Sequence, residues 1–412
     1  MPGIPLSLPE RRAAAATRRR AALRRRRMWS GAVALLLVAG GVAACTTIAQ
    51  TGNNGGTNTG SSGPGPGGSN PPTTTTPPPS SYNVGLTTFA WTDRTRTTLS
   101  PAGASLPGRK LPTEVRYPTL SGSPRSETNA APPALKYGPF PVIVFAHGFD
   151  VTPSTYEPLL DAWVHAGFVV VSPIFPDENP TAVAAAGGLN SPGGNEIEND
   201  VTNEPGDIAF VLKQFAAADA KGSGKAIAGA ADMADVGLAG QSDGANAVSG
   251  LSFDSYYSPE WAALPTTPKA VEILSGQALI TASGEYSSSA SSPSVLQVQS
   301  DADRCNGAQM AADLYSHIDK SPVHLFETLH GASHLAPYTE ATEWTPIVEK
   351  VTTEFFELEL GWRTKDLSIE KVIAAGSTGS ASSVSASITG FPNAPTPDDC
   401  SMAASLGITP VS

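Results

Sequence analysis

Asp235-Val-Gly-Leu-Ala-Gly240-Gln-Ser-Asp-Gly244-Ala-Asn-Ala-Val-Ser-Gly-Leu-Ser252 changes character midway. Asp235–Ala239 reads as a short buried strand, and Gly244–Ser252 as a helix of small residues with apolar spacing. Between them Gly240-Gln241-Ser242-Asp243-Gly244 is a G-x-S-x-G pattern, placed where a strand turns sharply into a helix. Lifting a serine above the end of a strand requires a strained turn. A side chain two positions to either side would collide with the neighbouring strand or helix, and glycine at 240 and 244 removes both collisions. The turn also sets Ser242 at a helix N-terminus, where unpaired N–H groups and the helix dipole favour negative charge. Ser242 is therefore a candidate nucleophile.

The sequence on either side predicts strands alternating with helices. Pro141–Ala146 and Phe168–Phe175 are continuous β-branched runs of the kind buried on both faces of a parallel sheet. Tyr156–Ala166 and Asp207–Ala216 have helical spacing of apolar residues. Further strands are expected at Ala270–Leu274, Val295–Gln299 and Val323–Leu329, and helices at Ala308–Ile318 and Thr345–Leu360. Leu86–Arg94 and Leu111–Tyr117 are expected to form an antiparallel edge. The alternation predicts one α/β catalytic domain, residues 82–365, with a mostly parallel sheet flanked by helices. Residues 251–290, with Tyr256, Tyr257 and Trp261, read as a pocket wall or lid, or as core.

The N-terminus has a different purpose. Arg24–Arg27 precede an apolar stretch, Met28–Ala44, so residues 1–44 read as a secretory signal peptide. Val42-Ala43-Ala44-Cys45 resembles the lipobox of bacterial lipoproteins, which implies lipidation of Cys45 and anchorage in the cell envelope. The other outcome is a soluble secreted protein cleaved near Ala44. Residues 46–81 are Gly, Pro, Ser, Thr or Asn at 33 of 36 positions, so 45–81 is a linker that cannot bury a core. The first 44 residues hold nine Arg and one Glu, leaving −19 for the remainder of a chain whose net charge is −11. So acidic a body argues against nucleic acid as a partner. With Cys45 lipidated, Cys305 and Cys400 form an even pair in an oxidising compartment, and a disulfide between them is expected to tether the tail, residues 366–412.

Six histidines supply the candidate bases. His165 and His317 fall on predicted helices, His324 within a strand, and His147 in His147-Gly148-Phe149 after the first buried strand. His330 and His334 remain, in Leu329-His-Gly-Ala-Ser-His-Leu335 beyond the last strand. Asp301 and Asp303 follow strand 295–299 and lie between Ser242 and both histidines in chain order. HExxH, CxxC and GxxxxGK[ST] are all absent, and no metal or organic cofactor is expected.

These motifs together resemble the α/β-hydrolase family. Val115-Arg-Tyr-Pro118, Phe140-Pro-Val-Ile-Val144, His147-Gly148 and Ala166-Gly-Phe-Val-Val-Val-Ser-Pro173 look like its bacterial branch of platelet-activating-factor acetylhydrolases, chlorophyllases and polyester-degrading enzymes. The resemblance implies an α/β-hydrolase fold and a serine esterase acting on small-molecule or lipid-like esters as a monomer. It implies His334 rather than His330 as the base, and Asp303 rather than Asp301 as the acid. It also implies an oxyanion hole formed by the backbone N–H groups of Phe149 and Asp243. Many secreted lipases and polyester hydrolases have His and Met at the positions of Gln241 and Asp243, so a plastic or cutin substrate is not implied. Dienelactone hydrolases, similar otherwise, carry Cys where this chain has Ser242. An amidase on the same triad, or a surface lipoprotein with only a binding role, would share these features.

Overall fold

The computed structural model describes residues 77–189, 191–279, 284–388 and 390–395. The expected signal peptide, Cys45, nearly all of the expected linker and Cys400 lie outside the described residues. The expected lipidation and the expected pairing of Cys305 with Cys400 therefore fall outside them too.

Ten strands form one sheet: β1 (Asn83–Leu99), β2 (Ser105–Thr119), β3 (Thr128–Asn129), β4 (Phe140–Ala146), β5 (Val169–Pro173), β6 (Ala231–Gln241), β7 (Ala270–Leu274), β8 (Ser294–Ser300), β9 (His324–Leu329) and β10 (Ser382–Ser385). Their spatial order is β10-β9-β8-β7-β6-β4-β5-β2-β1-β3. From β5 to β9 every neighbouring pair is parallel. The β1–β2 hairpin joins antiparallel through β2, and β10 closes the other side antiparallel to β9. This is the α/β-hydrolase fold.

The helices follow from the two apolar faces of that sheet. On β4, Val142, Val144 and Ala146 point to one face and Ile143 and Phe145 to the other, the period of two that a strand imposes. The first face is covered by α1 (Glu204–Asp219), through Ile208, Val211, Leu212 and Phe215, and by α2 (Asp243–Phe253), through Ala247, Val248 and Leu251. The second is covered by α3 (Glu157–Ala166), through Leu159, Leu160, Trp163 and Val164, and by α4 (Thr345–Glu359), through Val348, Val351, Phe355 and Phe356. Trp163 donates to Thr352 Oγ1 at 3.0 Å, so its burial between the helices leaves no unsatisfied N–H. Helix α3 stops at Gly167, whose φ of 110° bends the chain back while its N–H caps the Trp163 and Val164 carbonyls.

The expected tail boundary at residue 366 needs correction. Ile369–Gly376 is a helix that buries Val372 and Ala375 in the core of the second face, and Ser382–Ser385 is strand β10. The sequence Ser-Ser-Val-Ser carries almost no apolar signal, because an edge strand of this kind is held by backbone pairing with β9 rather than by side chains. The β1 and β2 strands also run further than their apolar segments predict. In the segment read as wall, lid or core, Tyr257 is buried with Val201 and Leu279 and donates to the Thr202 carbonyl at 2.9 Å, which makes it core. Among the described residues no helix is long and apolar enough to cross a membrane.

Candidate active site

Chain order places strand β5 on one side of β4 and β6 on the other, so the connections diverge at the C-terminal ends of β4 and β6. Such divergence opens a crevice at the carboxyl edge of a parallel sheet. Every candidate residue lies at that edge: His147–Phe149 after β4, Ser242 after β6, Asp301 and Asp303 after β8, and His330 and His334 after β9.

The elbow has the strain its sequence predicts. Ser242 sits at φ 56°, ψ −122°, outside the regions a side-chain-bearing residue prefers, at a cost of about 1–3 kcal/mol. Its N–H is fixed to the Leu274 carbonyl at 3.0 Å, and its carbonyl accepts from Asn246 N–H at 2.9 Å. A Cβ on Gly240 would overlap the Gly244 carbonyl, and a Cβ on Gly244 would overlap the backbone of Ala146 and His147. The two glycines thus let strand β6, helix α2 and the end of β4 meet at one point.

Three side chains from distant parts of the chain converge there. His334 Nε2 is 2.8 Å from Ser242 Oγ, and His334 Nδ1 is 2.8 Å from Asp303 Oδ2. Asp303 is fully buried and surrounded by donors. Gln299 Nε2 donates to Oδ2 at 3.0 Å, and the N–H groups of Cys305 and Asn306 donate to Oδ1 at 2.8 and 3.1 Å. A carboxyl so surrounded acts as acceptor, so Nδ1 carries the imidazole hydrogen and Nε2 presents its lone pair to the serine hydroxyl. The histidine loop is tied down by Ser300 Oγ, which donates to the Ala332 carbonyl at 2.7 Å.

The competing pair is also formed, but elsewhere. His330 Nδ1 is 2.8 Å from Asp301 Oδ2 and His330 Nε2 is 3.1 Å from Ser383 Oγ. That pair is 40 % and 35 % exposed, against 7 % and 0 % for His334 and Asp303, and it faces the β10 edge instead of Ser242.

The loop after β4 is built around a histidine. His147 is fully buried, and burial pushes its imidazole down to about 4, so it is neutral near pH 7. Its Nε2 accepts from Phe175 N–H at 3.0 Å, which leaves Nδ1–H to donate to the Gly148 carbonyl at 2.8 Å. Gly148 N–H is bonded to Tyr156 Oη at 3.2 Å, and Asp150 N–H to the Glu178 carbonyl at 2.9 Å. Phe149 N–H, between them, has no hydrogen-bond partner among the described residues. Asp243 opens helix α2, and its carboxylate accepts from Asn246 Nδ2 at 3.0 Å.

Glu178 and Glu204 lie fully buried beside this loop. Burial pushes both carboxyls well above the usual carboxylate range, and for Glu178 the neighbouring Glu204 and Asp243 push in the same direction. Asp303, Cys305 and His334 bring potential metal-ligand atoms within 4.8 Å of one another. Cys305 is disulfide-bonded, however, so that set has no thiolate to offer a metal. Gln299, Gln241 and Tyr156, which hold the site together, carry no sequence signal beyond their positions next to motifs.

No protein-family model matches the chain, and no curated protein matches it. Among solved structures, a ferulic acid esterase from Streptomyces cinnamoneus is similar at a TM-score of 0.47 and 16% sequence identity, over 70% of this chain and 94% of that one.

Proposed function

We propose that this protein is a serine hydrolase that cleaves carboxylic esters through an acyl-enzyme. The observation that carries the reading is the unbroken hydrogen-bonded succession Ser242–His334–Asp303, with 2.8 Å at each step. His334 Nε2 takes the hydroxyl proton as Ser242 Oγ attacks the ester carbonyl, and Asp303 holds the ring and stabilises the imidazolium that forms. The developing oxyanion is held by the N–H groups of Phe149 and Asp243, one of which is worth about 3–4 kcal/mol of barrier. His334 then protonates the leaving alcohol. In the second half it activates water to release the acid and free the serine.

The substrate class that follows from the family resemblance is a small-molecule or lipid-like ester, bound by a monomer. Export and anchoring through a lipid on Cys45 are proposed from the arginine cluster, the apolar stretch and the Val42–Cys45 motif alone. Loss of a palmitate-analogue label on Cys45→Ser tests the anchor.

The test of the chemistry combines covalent labelling with turnover. A fluorophosphonate probe should label Ser242, and Ser242→Ala should lose p-nitrophenyl ester hydrolysis by up to ~10⁶-fold. A chain that takes no label and hydrolyses no ester is a binding module instead. A chain that labels but cleaves only amides is an amidase.

A further inference from the structure

Gln241, the variable position of the G-x-S-x-G turn, is 1% exposed and fully hydrogen-bonded. Its Nε2 lies 3.1 Å from the His334 carbonyl, which can only accept, so the amide nitrogen must face that way. Its Oε1 then faces Tyr156, whose hydroxyl donates to it at 2.7 Å. Having spent its hydrogen on Gln241, the Tyr156 oxygen can only accept from Gly148 N–H, at 3.2 Å. The direction of each bond in the relay is thereby fixed: Gly148 N–H to Tyr156 Oη, Tyr156 O–H to Gln241 Oε1, and Gln241 N–H to the His334 carbonyl, with the same amide nitrogen also 3.4 Å from His334 Nε2.

We infer that Gln241, through Tyr156, is a positioning residue that locks the oxyanion loop and the histidine loop to the same rigid strand; this rests on the serine-hydrolase reading above. The two loops are otherwise held by separate contacts: His147 and Phe175 for the first, Ser300 and Ala332 for the second. Gln241 belongs to β6, in the middle of the sheet, and pairs with Leu274. An anchor there sets the Phe149 N–H and the His334 ring in register with Ser242 Oγ. Gly148 lies directly against the same amide, since a Cβ on it would be 3.0 Å from Gln241 Oε1. Tyr156 is fully buried, with its ring edge-on to Phe145 at 4.9 Å, so the relay cannot swing to solvent.

The test uses Gln241→Met, Tyr156→Phe and the double variant, in the full chain, with p-nitrophenyl butyrate as substrate. Gln241→Met is close to isosteric and removes all three hydrogen bonds of the amide, the 3.4 Å approach of its Nε2 to His334 Nε2 included, whereas Tyr156→Phe removes one oxygen and leaves the ring packing intact. Each single variant should lower kcat about tenfold with KM within about twofold of wild type, because loop register matters in the transition state more than in substrate binding. The double variant should fall no further than the worse single one, since both break the same relay. Purely structural residues would lower the unfolding midpoint without this split of kcat from KM. Wild-type kcat in both folded variants, a loss confined to KM, or losses that multiply in the double variant would each overturn the inference. In those cases, labelling of Ser242 by fluorophosphonate in the wild-type chain would leave the hydrolase reading standing. A wild-type chain that takes no label and turns over no ester overturns both.

Discussion

Gly148 lies so close against Ser242 that a methyl group on it would stand 2.9 Å from Ser242 Cβ. The contact presses the loop after β4, which carries Phe149, onto Ser242. Gly148→Ala should push the loop away and lower kcat by roughly 10²–10³-fold, the usual cost of one lost oxyanion donor, with KM little changed. Steady-state kinetics on a p-nitrophenyl ester decide it, and unchanged kcat would remove this loop from the oxyanion hole.

Two histidine–aspartate pairs of equal length, His334–Asp303 and His330–Asp301, make a controlled comparison. His334→Ala should reduce turnover by several orders of magnitude, and Asp303→Asn by roughly 10⁴-fold through loss of the correct tautomer. His330→Ala and Asp301→Asn should stay within about threefold of wild type, since a solvent-exposed pair adds little beyond local order. Equal losses from both pairs would mean that the base is misassigned.

Arg109 is a fully buried guanidinium that spends its donors on Asp207, Asp200 and the Thr97 carbonyl at 2.5–3.1 Å. It joins strand β2 to helix α1 and the turn before it. Arg109→Ala leaves buried Asp200 without its cation and Asp207 with Arg96 alone, and should cost about 3–5 kcal/mol of stability. Arg109→Lys should rescue little of that, because an ammonium cannot reproduce the planar fork. Urea unfolding of the three proteins measures both effects.

Glu327 on β9 is fully buried, and among the described residues neither of its carboxyl oxygens has a hydrogen-bond partner. Burial pushes its carboxyl up to about 8, from an ordinary value of 4.5. The folded state therefore holds this proton more tightly than the unfolded chain does. Its contribution is full below about pH 4.5, is lost as pH rises, and is gone above about pH 8. Relative to Glu327→Gln, the wild-type chain should lose on the order of a few kcal/mol of unfolding free energy between those limits. Denaturation at pH 5, 7 and 9 tests this, and parallel profiles for the two proteins would contradict it. Glu272, buried on β7, is pushed the same way by burial and then by Glu327, so the double Gln variant should flatten the profile further.

The central strands and their helices were legible because fully buried parallel strands must be continuous apolar runs, as at Pro141–Ala146 and Ala270–Leu274. The turn at Ser242 was legible for a steric reason local to five residues, since no side chain fits at Gly240 or Gly244. Helix Ile369–Gly376 and strand Ser382–Ser385 are not legible in the sequence, because what holds the strand is pairing with β9, which no short window of sequence displays.

The sequence alone determined Ser242 as the candidate nucleophile, the alternation of elements and a short set of possible partners, all consequences of spacing along the chain. Which histidine meets Ser242, and which aspartate meets that histidine, depends on contacts across 92 and 31 residues. Proximity of that kind exists only once β6, β8 and β9 lie in one sheet with their carboxyl ends together. The neutral state of His147 and the orientation of the Gln241 amide are likewise properties of the packed interior, because burial and an accept-only carbonyl dictate them.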